Sequence, residues 1–147
     1  MASQRGHTEV VRLLLQDERV DPSGGDNYAI RMTSRNGHTD IVKLLLQDKR
    51  VDPSVNNNDS IKWASQRGHT EVVKLLLQDK RVDPIEDGNY AIIDGIRLAS
   101  KNGHTEVVKL LLQDERVDPS VNNNDAIRIA SQRGHTEVVK LLLQETY

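Results

Sequence analysis

The sequence lacks cysteine and phenylalanine, and it has only one tryptophan and three tyrosines among 147 residues. Without cysteine there are no disulfides, no thiolate nucleophiles and no cysteine-based metal sites. Domains of this length usually rely on aromatic rings for their bulkiest core pieces, so their scarcity argues against an ordinary globular core. The apolar positions hold almost entirely Leu, Ile, Val and Ala, which suits thin layers of small helices.

Charge and hydropathy exclude further classes of protein. The net charge is -2, so no overall field favours nucleic acid or an anionic membrane, and we expect neither as a partner. The longest apolar runs have three or four residues, whereas a membrane span needs about 20. The first five residues contain no apolar segment of a secretion signal. We therefore expect an intracellular, cytoplasmic protein.

An internal repeat dominates the sequence. A Gly-His pair recurs five times, each time followed by nearly the same text, Thr-Glu-Val-Val-Lys-Leu-Leu-Leu-Gln. An Arg-Val-Asp-Pro segment recurs four times in strict alternation with it, at a spacing of 31 residues that rises once to 35. This periodicity predicts one repeat domain over the whole chain. Its boundaries are a partial unit 1–22, units 23–53, 54–84 and 85–119, and a final unit 120–147.

Each unit is predicted to form two helices and a loop. In the third copy, apolar residues recur at helical spacing between Thr70 and Gln78, which indicates an amphipathic second helix. In the shorter first helix, Asp59 stands at the expected N-cap and Gly68 where a chain leaves a helix in left-handed geometry. The Asp-Pro pair then forces an extended bend. We therefore predict an all-α solenoid of stacked antiparallel helix pairs with short loops.

The text of residues 68–77, Gly-His-Thr-Glu-Val-Val-Lys-Leu-Leu-Leu, closely resembles the second helix of ankyrin repeats, and the resemblance extends over essentially the whole chain. It implies stacked helix pairs with projecting fingers, and a non-catalytic protein-protein interaction module without a cofactor. Two departures stand out. The units are slightly shorter than the usual 33 residues, and Gln-Asp-Glu/Lys-Arg replaces the glycine that usually follows the second helix. We therefore expect abbreviated fingers.

In arrays of this family, partners usually contact the concave side, so the resemblance implies which positions face a partner. We name two sets of cations there. The C-terminal cation row lies one or two residues before the last four Gly-His pairs and comprises Arg35, Arg67, Lys101 and Arg133. The N-terminal cation row lies earlier in each first helix and comprises Arg31, Lys62, Arg97 and Arg128. Both rows fit a solvated polar face or, alternatively, a basic stripe that meets an acidic partner.

The fourth unit carries four extra residues, and two arrangements fit them. Either the first helix starts on schedule and gains about one turn, or it starts at Asp94 and residues 85–93 form a longer finger. We favour the longer finger, because Asp94-Gly95 is a turn signal and a glycine inside a helix costs about 1 kcal/mol. Its predicted partner-binding residues are Glu86, Asp87, Tyr90, Ile92 and Ile93.

Residues present in every unit are most simply explained by stacking. The five histidines are therefore predicted to bond backbone groups at the turn between the two helices, because units about 10 Å apart cannot share one metal ion. Trp63 aligns with apolar residues of the other units, so we predict that it packs in the core, in preference to the alternative that it is a binding anchor. The Asn runs 56–58 and 122–124 are predicted turns that tolerate left-handed geometry. No catalytic set and no metal site emerge.

The array begins and ends inside a unit, and neither end carries the polar residues of a capping repeat. This predicts either a piece of a longer or engineered array, or self-association through the ends. Two functions then compete. The first is an interaction module for an unknown protein partner, and the alternative is a structural or engineered scaffold with no dedicated partner.

Overall fold

The computed structural model describes residues 7–83, 86–117 and 123–144, with the side chains of 86–89 left aside. These ranges contain helices and loops but no strand, which confirms the all-α prediction. The helices, in chain order, are α1 (Thr8–Leu15), α2 (Gly24–Asn36), α3 (Thr39–Gln47), α4 (Val55–Arg67), α5 (Thr70–Gln78), α6 (Glu86–Lys101), α7 (Thr105–Gln113), α8 (Asn124–Gln132) and α9 (Thr136–Gln144).

The helices form two layers. The first helices of successive units, α2, α4, α6 and α8, pack side by side, and the second helices α1, α3, α5, α7 and α9 form the other layer. Each second helix turns one apolar face inward; in α5, Val72, Val73 and Leu76 are fully buried. Glu71 lies in the first turn, where the helix dipole favours an anion. The near-identical sequences thus stack into one continuous core.

Two first helices begin with a left-handed turn. Asn56, Asn57 and Asn58 have φ angles of 57°, 56° and 62°, and residues 25–27 of α2 have the same geometry. Asparagine adopts this geometry more readily than most residues, so the prediction for run 56–58 is confirmed. Asp59 is not the predicted N-cap, because it follows this turn and pairs with Lys62 at 3.4 Å. In the second run, 122–124, Asn123 has φ -97° and is therefore not left-handed, and residue 122 lies outside the described residues.

The extra residues of unit four lengthen a helix instead of a finger. Helix α6 begins at Glu86 and continues unbroken to Lys101, so the longer-finger prediction is wrong. Four residues make slightly more than one helical turn, and both Ile92 and Ile96 therefore face the core. A Cβ at Gly95 would lie 3.2 Å from Leu111 Cδ1, so this glycine permits close packing that offsets its poor helix propensity.

Candidate functional site

An Asp-x-Arg motif after each of the second helices α3, α5 and α7 joins its unit to the preceding unit. Arg81 forms a two-bond ion pair with Asp79, with Nη2 2.7 Å from Oδ2 and Nε 2.9 Å from Oδ1. The same guanidinium also donates to the carbonyls of Leu46, at 2.7 Å, and Val51 in the preceding unit. It also holds the pKa of the Asp79 carboxyl below its ordinary value. One arginine thus neutralises an acid and satisfies carbonyls at the end of the neighbouring helix.

The same contact recurs at two other junctions, through Arg50 and Arg116. Arg50 donates to the carbonyls of Leu15 and Val20 at 3.2 and 2.8 Å. Arg116 donates in the same way to Leu77 and Val82 of its preceding unit, at 2.7 and 3.0 Å. This contact, which we call the arginine clamp, stands where the resemblance led us to expect a glycine. Sequence inspection missed it because its acceptors are backbone atoms 30 to 39 residues away.

The repeated histidines also connect units. His69 Nε2 lies 2.9 Å from the carbonyl oxygen of Arg35 in the preceding unit, and His135 Nε2 lies 3.0 Å from that of Lys101. At these two histidines the predicted backbone bond is present, but it crosses between units instead of closing the turn of its own unit. The neutral ring donates through Nε2 in this arrangement. Burial lowers the pKa of His69, which favours that neutral form.

Each member of the N-terminal cation row lies near an acidic side chain. Lys62 pairs with Asp59 at 3.4 Å, and Arg31 lies 4.0 Å from the same carboxylate. Arg31 also donates to two carbonyls of its left-handed turn. The remaining two pairs join residues three apart on one helix, Arg97 with Asp94 at 3.6 Å and Arg128 with Asp125 at 3.3 Å. Three carboxylates thus serve four cations, because Arg31 and Lys62 share Asp59.

The C-terminal cation row is less uniform. The guanidinium carbon of Arg35 lies 4.9 Å from the ring centroid of Trp63, within the range of a cation-π contact. Arg67 and Arg133 are exposed, whereas Lys101 is half-buried. Arg67 and Arg133 are thus the most exposed cations of this row.

A row of apolar side chains lies on the first helices outside the main core. The prediction placed Trp63 in the core, but the structure leaves it half-buried, as it leaves the equivalent residue of each other described first helix. Because the first helices pack side by side in register, these positions form one line, which we call the first-helix stripe. Its members are Met32, Trp63, Leu98 and Ile129. Sequence inspection found the positions but assigned them to packing, because apolar residues at helical spacing usually are core.

A groove opens where units three and four meet. Its volume is about 800 Å³, and its walls are the left-handed turn 56–58 on one side and Tyr90 and Asp94 of α6 on the other. We call it the junction groove. Tyr90 is 68% exposed, whereas Ile92 is fully buried and so cannot be the contact residue that we predicted. Ile93 is half-buried, and the side chains of Glu86 and Asp87 lie outside the described residues.

Among the described residues, no group of three or more His, Asp or Glu side chains lies close enough to hold a metal ion. None of the described helices is long and apolar enough to cross a membrane.

Residues 1–87 and 95–147 match a family model described as ankyrin repeats in three copies. The unmatched residues, 88–94, fall within the lengthened helix α6. No curated protein matches the chain.

Proposed function

We propose that this chain, which belongs to the ankyrin repeat family, is a non-catalytic module that binds a partner protein through the first-helix stripe. Repeats of this family generally serve protein-protein interaction. The observation that carries the proposal is the stripe itself. It places an apolar side chain, partly exposed, on each described first helix, at a position that the main core does not use.

The surroundings of the stripe suit a binding surface. Interfaces typically have an apolar centre and a polar rim, and large side chains such as Trp dominate their energetics. Here the stripe is the apolar centre, and the two cation rows with their paired aspartates provide the rim. In arrays of this family the first helices line the concave side, which is where partners usually dock.

The charges of the two cation rows bear on which partner surface would be attracted. Because three aspartates offset most of the charge of the N-terminal cation row, electrostatic attraction to an acidic partner would rest mainly on the exposed Arg67 and Arg133. An acidic partner surface therefore stays a prediction, as does the cytoplasmic location. Self-association through the ends also stays a prediction, and residues 1–6 and 145–147 lie outside the described residues.

A capture experiment tests the proposal. The wild-type chain, a Trp63→Ser/Leu98→Ser variant and a control Lys74→Ser/Lys109→Ser variant are each immobilised and exposed to a cell extract. The control changes two exposed residues of second helices, α5 and α7, and leaves the stripe intact. Circular dichroism checks that all three chains fold. We expect a set of proteins that the wild type and the control retain and the stripe variant loses.

Identical retention by all three chains would contradict the proposal. An absence of any retained protein would favour the alternative, a scaffold with no dedicated partner. Retention lost only in the control variant would move the binding surface to the second helices.

A further inference from the structure

Two asparagines that are followed by glycine lie at the ends of first helices. Asn36 is the last residue of α2, and Asn102 directly follows α6. The other asparagines of the chain precede larger residues. Asparagine is a chemically labile residue, and in an Asn-Gly pair no Cβ hinders the attack of the following backbone nitrogen on the side chain. Each pair is therefore a candidate site of chemical modification.

The two pairs have closely matched surroundings. Residues 35–38 read Arg-Asn-Gly-His, and residues 101–104 read Lys-Asn-Gly-His. Gly37 and Gly103 have φ angles of 74° and 73°, and each donates its N–H to a serine carbonyl at 3.3 Å, which is long for such a bond. Each glycine also packs against a histidine ring of the next unit. Local sequence and backbone geometry therefore give the two pairs similar intrinsic reactivity.

The hydrogen bonding of the two side-chain amides differs. Asn102 Nδ2 donates to the carbonyl oxygen of Gln66 in the preceding unit at 2.8 Å. Asn36 is exposed, and in the described part of the chain its side-chain amide makes no hydrogen bond. It also ends its helix, where the backbone frays most easily. The amide of Asn36 is therefore free to turn toward the nitrogen of Gly37, whereas that of Asn102 must first break its bond to Gln66.

We infer that Asn36-Gly37 is a site of spontaneous deamidation, and that the bond between Asn102 and Gln66 protects the second pair. The backbone nitrogen of Gly37 attacks Cγ of Asn36, and the C–N bond of the side-chain amide breaks. The proton of Gly37 N–H leaves with the amide nitrogen as ammonia. Water then opens the cyclic imide at either of its two carbonyls, which yields aspartate or isoaspartate. This reaction needs no partner protein and so does not depend on the proposed function.

Isoaspartate at position 36 alters the junction between the second and third units. In this product the main chain runs through Cβ and Cγ of the residue, which adds one methylene between Arg35 and Gly37. His69 contacts both of these residues, because its Nε2 lies 2.9 Å from the Arg35 carbonyl oxygen and its ring packs against Gly37. The added length changes the distance between these two contact points. Deamidation at this position therefore weakens the junction.

Tandem mass spectrometry of the aged chain tests this inference, because deamidation replaces an amino group by a hydroxyl and changes the fragment masses at each site. The chain is incubated in mildly alkaline buffer, once folded and once in urea, and samples are taken over time. In urea only the local sequence acts, so we expect similar rates at Asn36 and Asn102. In the folded chain Asn36 should react about fivefold faster than Asn102, a factor that one hydrogen bond typically supplies.

Two results of this experiment would overturn the inference. One is a ratio of the two rates that is no larger in the folded chain than in urea. The other is an Asn36 that stays unmodified in the folded chain while the chain in urea reacts.

Urea titrations before and after ageing test the consequence for stability. The control is an Asn36→Gln variant, because its longer side chain must close a larger and less favourable ring. We expect the wild type to lose stability as isoaspartate accumulates at position 36, and the variant to keep its stability. An equal loss in both chains, or no loss in a deamidated wild-type chain, would overturn the role assigned to this position in the junction.

Discussion

At three of the junctions between units, the same arginine makes the same contacts, whereas the face of the first helices changes from unit to unit. The arginine clamp occurs at Arg50, Arg81 and Arg116 with equivalent acceptors. The first-helix stripe holds four different residues on the same scaffold. The repeated residues therefore serve the stacking of units. Recognition is left to the variable positions.

The largest effect is expected at the glycines that end the first helices. Gly68 has φ +76°, and a Cβ there would overlap the ring of His104, whereas Gly134 has the same φ and open space around it. Gly68→Ala should lower the free energy of unfolding by about 3 kcal/mol, and Gly134→Ala by about 1 kcal/mol, because only the first adds overlap to backbone strain. Urea titrations of both variants measure this. Equal losses would show that the histidine contact does not join the units tightly.

Removing an internal arginine clamp should have the next largest effect. Arg81→Ala leaves carbonyls of the preceding unit without their donor and should cost about 2 kcal/mol of unfolding free energy. Arg19 pairs with Asp17, but its side chain is 90% exposed, so Arg19→Ala should change stability little. Thermal or urea unfolding compares the two. A comparable loss in both variants would mean that the ion pair matters and the contact between units does not.

Lowering the pH should reduce the free energy of unfolding through protonation of His69. Burial lowers its pKa below 6.5 in the folded chain, so the unfolded chain binds more protons as the pH falls through 6.5. Stability should therefore decrease below pH 6.5 and level off once the folded histidine is also protonated. Urea titrations between pH 7.5 and about 5 measure the slope.

The matched control is His69→Gln, which keeps an N–H donor but does not titrate. It should remove the contribution of His69 to the slope of stability against pH, and an unchanged slope would assign the pH dependence to other groups.

The carboxylates of the arginine clamps affect stability at a lower pH than His69 does. The pKa values of Asp79 and Asp114 are held below 3.8 by their arginines, so their contribution is lost only as the pH falls through that range.

The smallest effect is expected on the variable face. Arg35→Ala removes the cation above the Trp63 ring and should cost about 0.5 to 1 kcal/mol, with a change in tryptophan fluorescence. Arg133→Ala, in the last unit, should change neither quantity, since Arg133 is exposed. If Arg35→Ala lowered the free energy of unfolding as much as Arg81→Ala does, this face would also hold the units together.

The regular parts of the fold follow from local sequence. Periodic Val and Leu residues predict the second helices, Gly68 predicts the left-handed helix end, and the run 56–58 predicts its turn, because each depends on neighbouring residues only. The arginine clamp and the histidine bonds do not follow from local sequence, because their acceptors lie about one unit away along the chain. Helix α6 was mispredicted since the helix propensity of Gly95 is local while its packing against Leu111 is not.

The candidate site was predictable in part. The sequence identifies the cation rows and the insertion, but it does not show that aspartates pair with the N-terminal row or that Ile92 turns inward. It also places Trp63 in the core, because apolar spacing does not reveal whether a third layer covers the first helices. In the described residues no such layer is present, and the stripe stays partly exposed.

Site-specific photo-crosslinking shows whether a partner contacts the variable face of the first helices. A photoreactive amino acid replaces Leu98 on the first-helix stripe in one chain and Lys109 on a second helix in another, and each chain is mixed with a captured partner. We expect a crosslinked product from position 98 and none from position 109. Crosslinking from position 109 alone would contradict it, because the partner would then contact the repeated layer instead of the variable face.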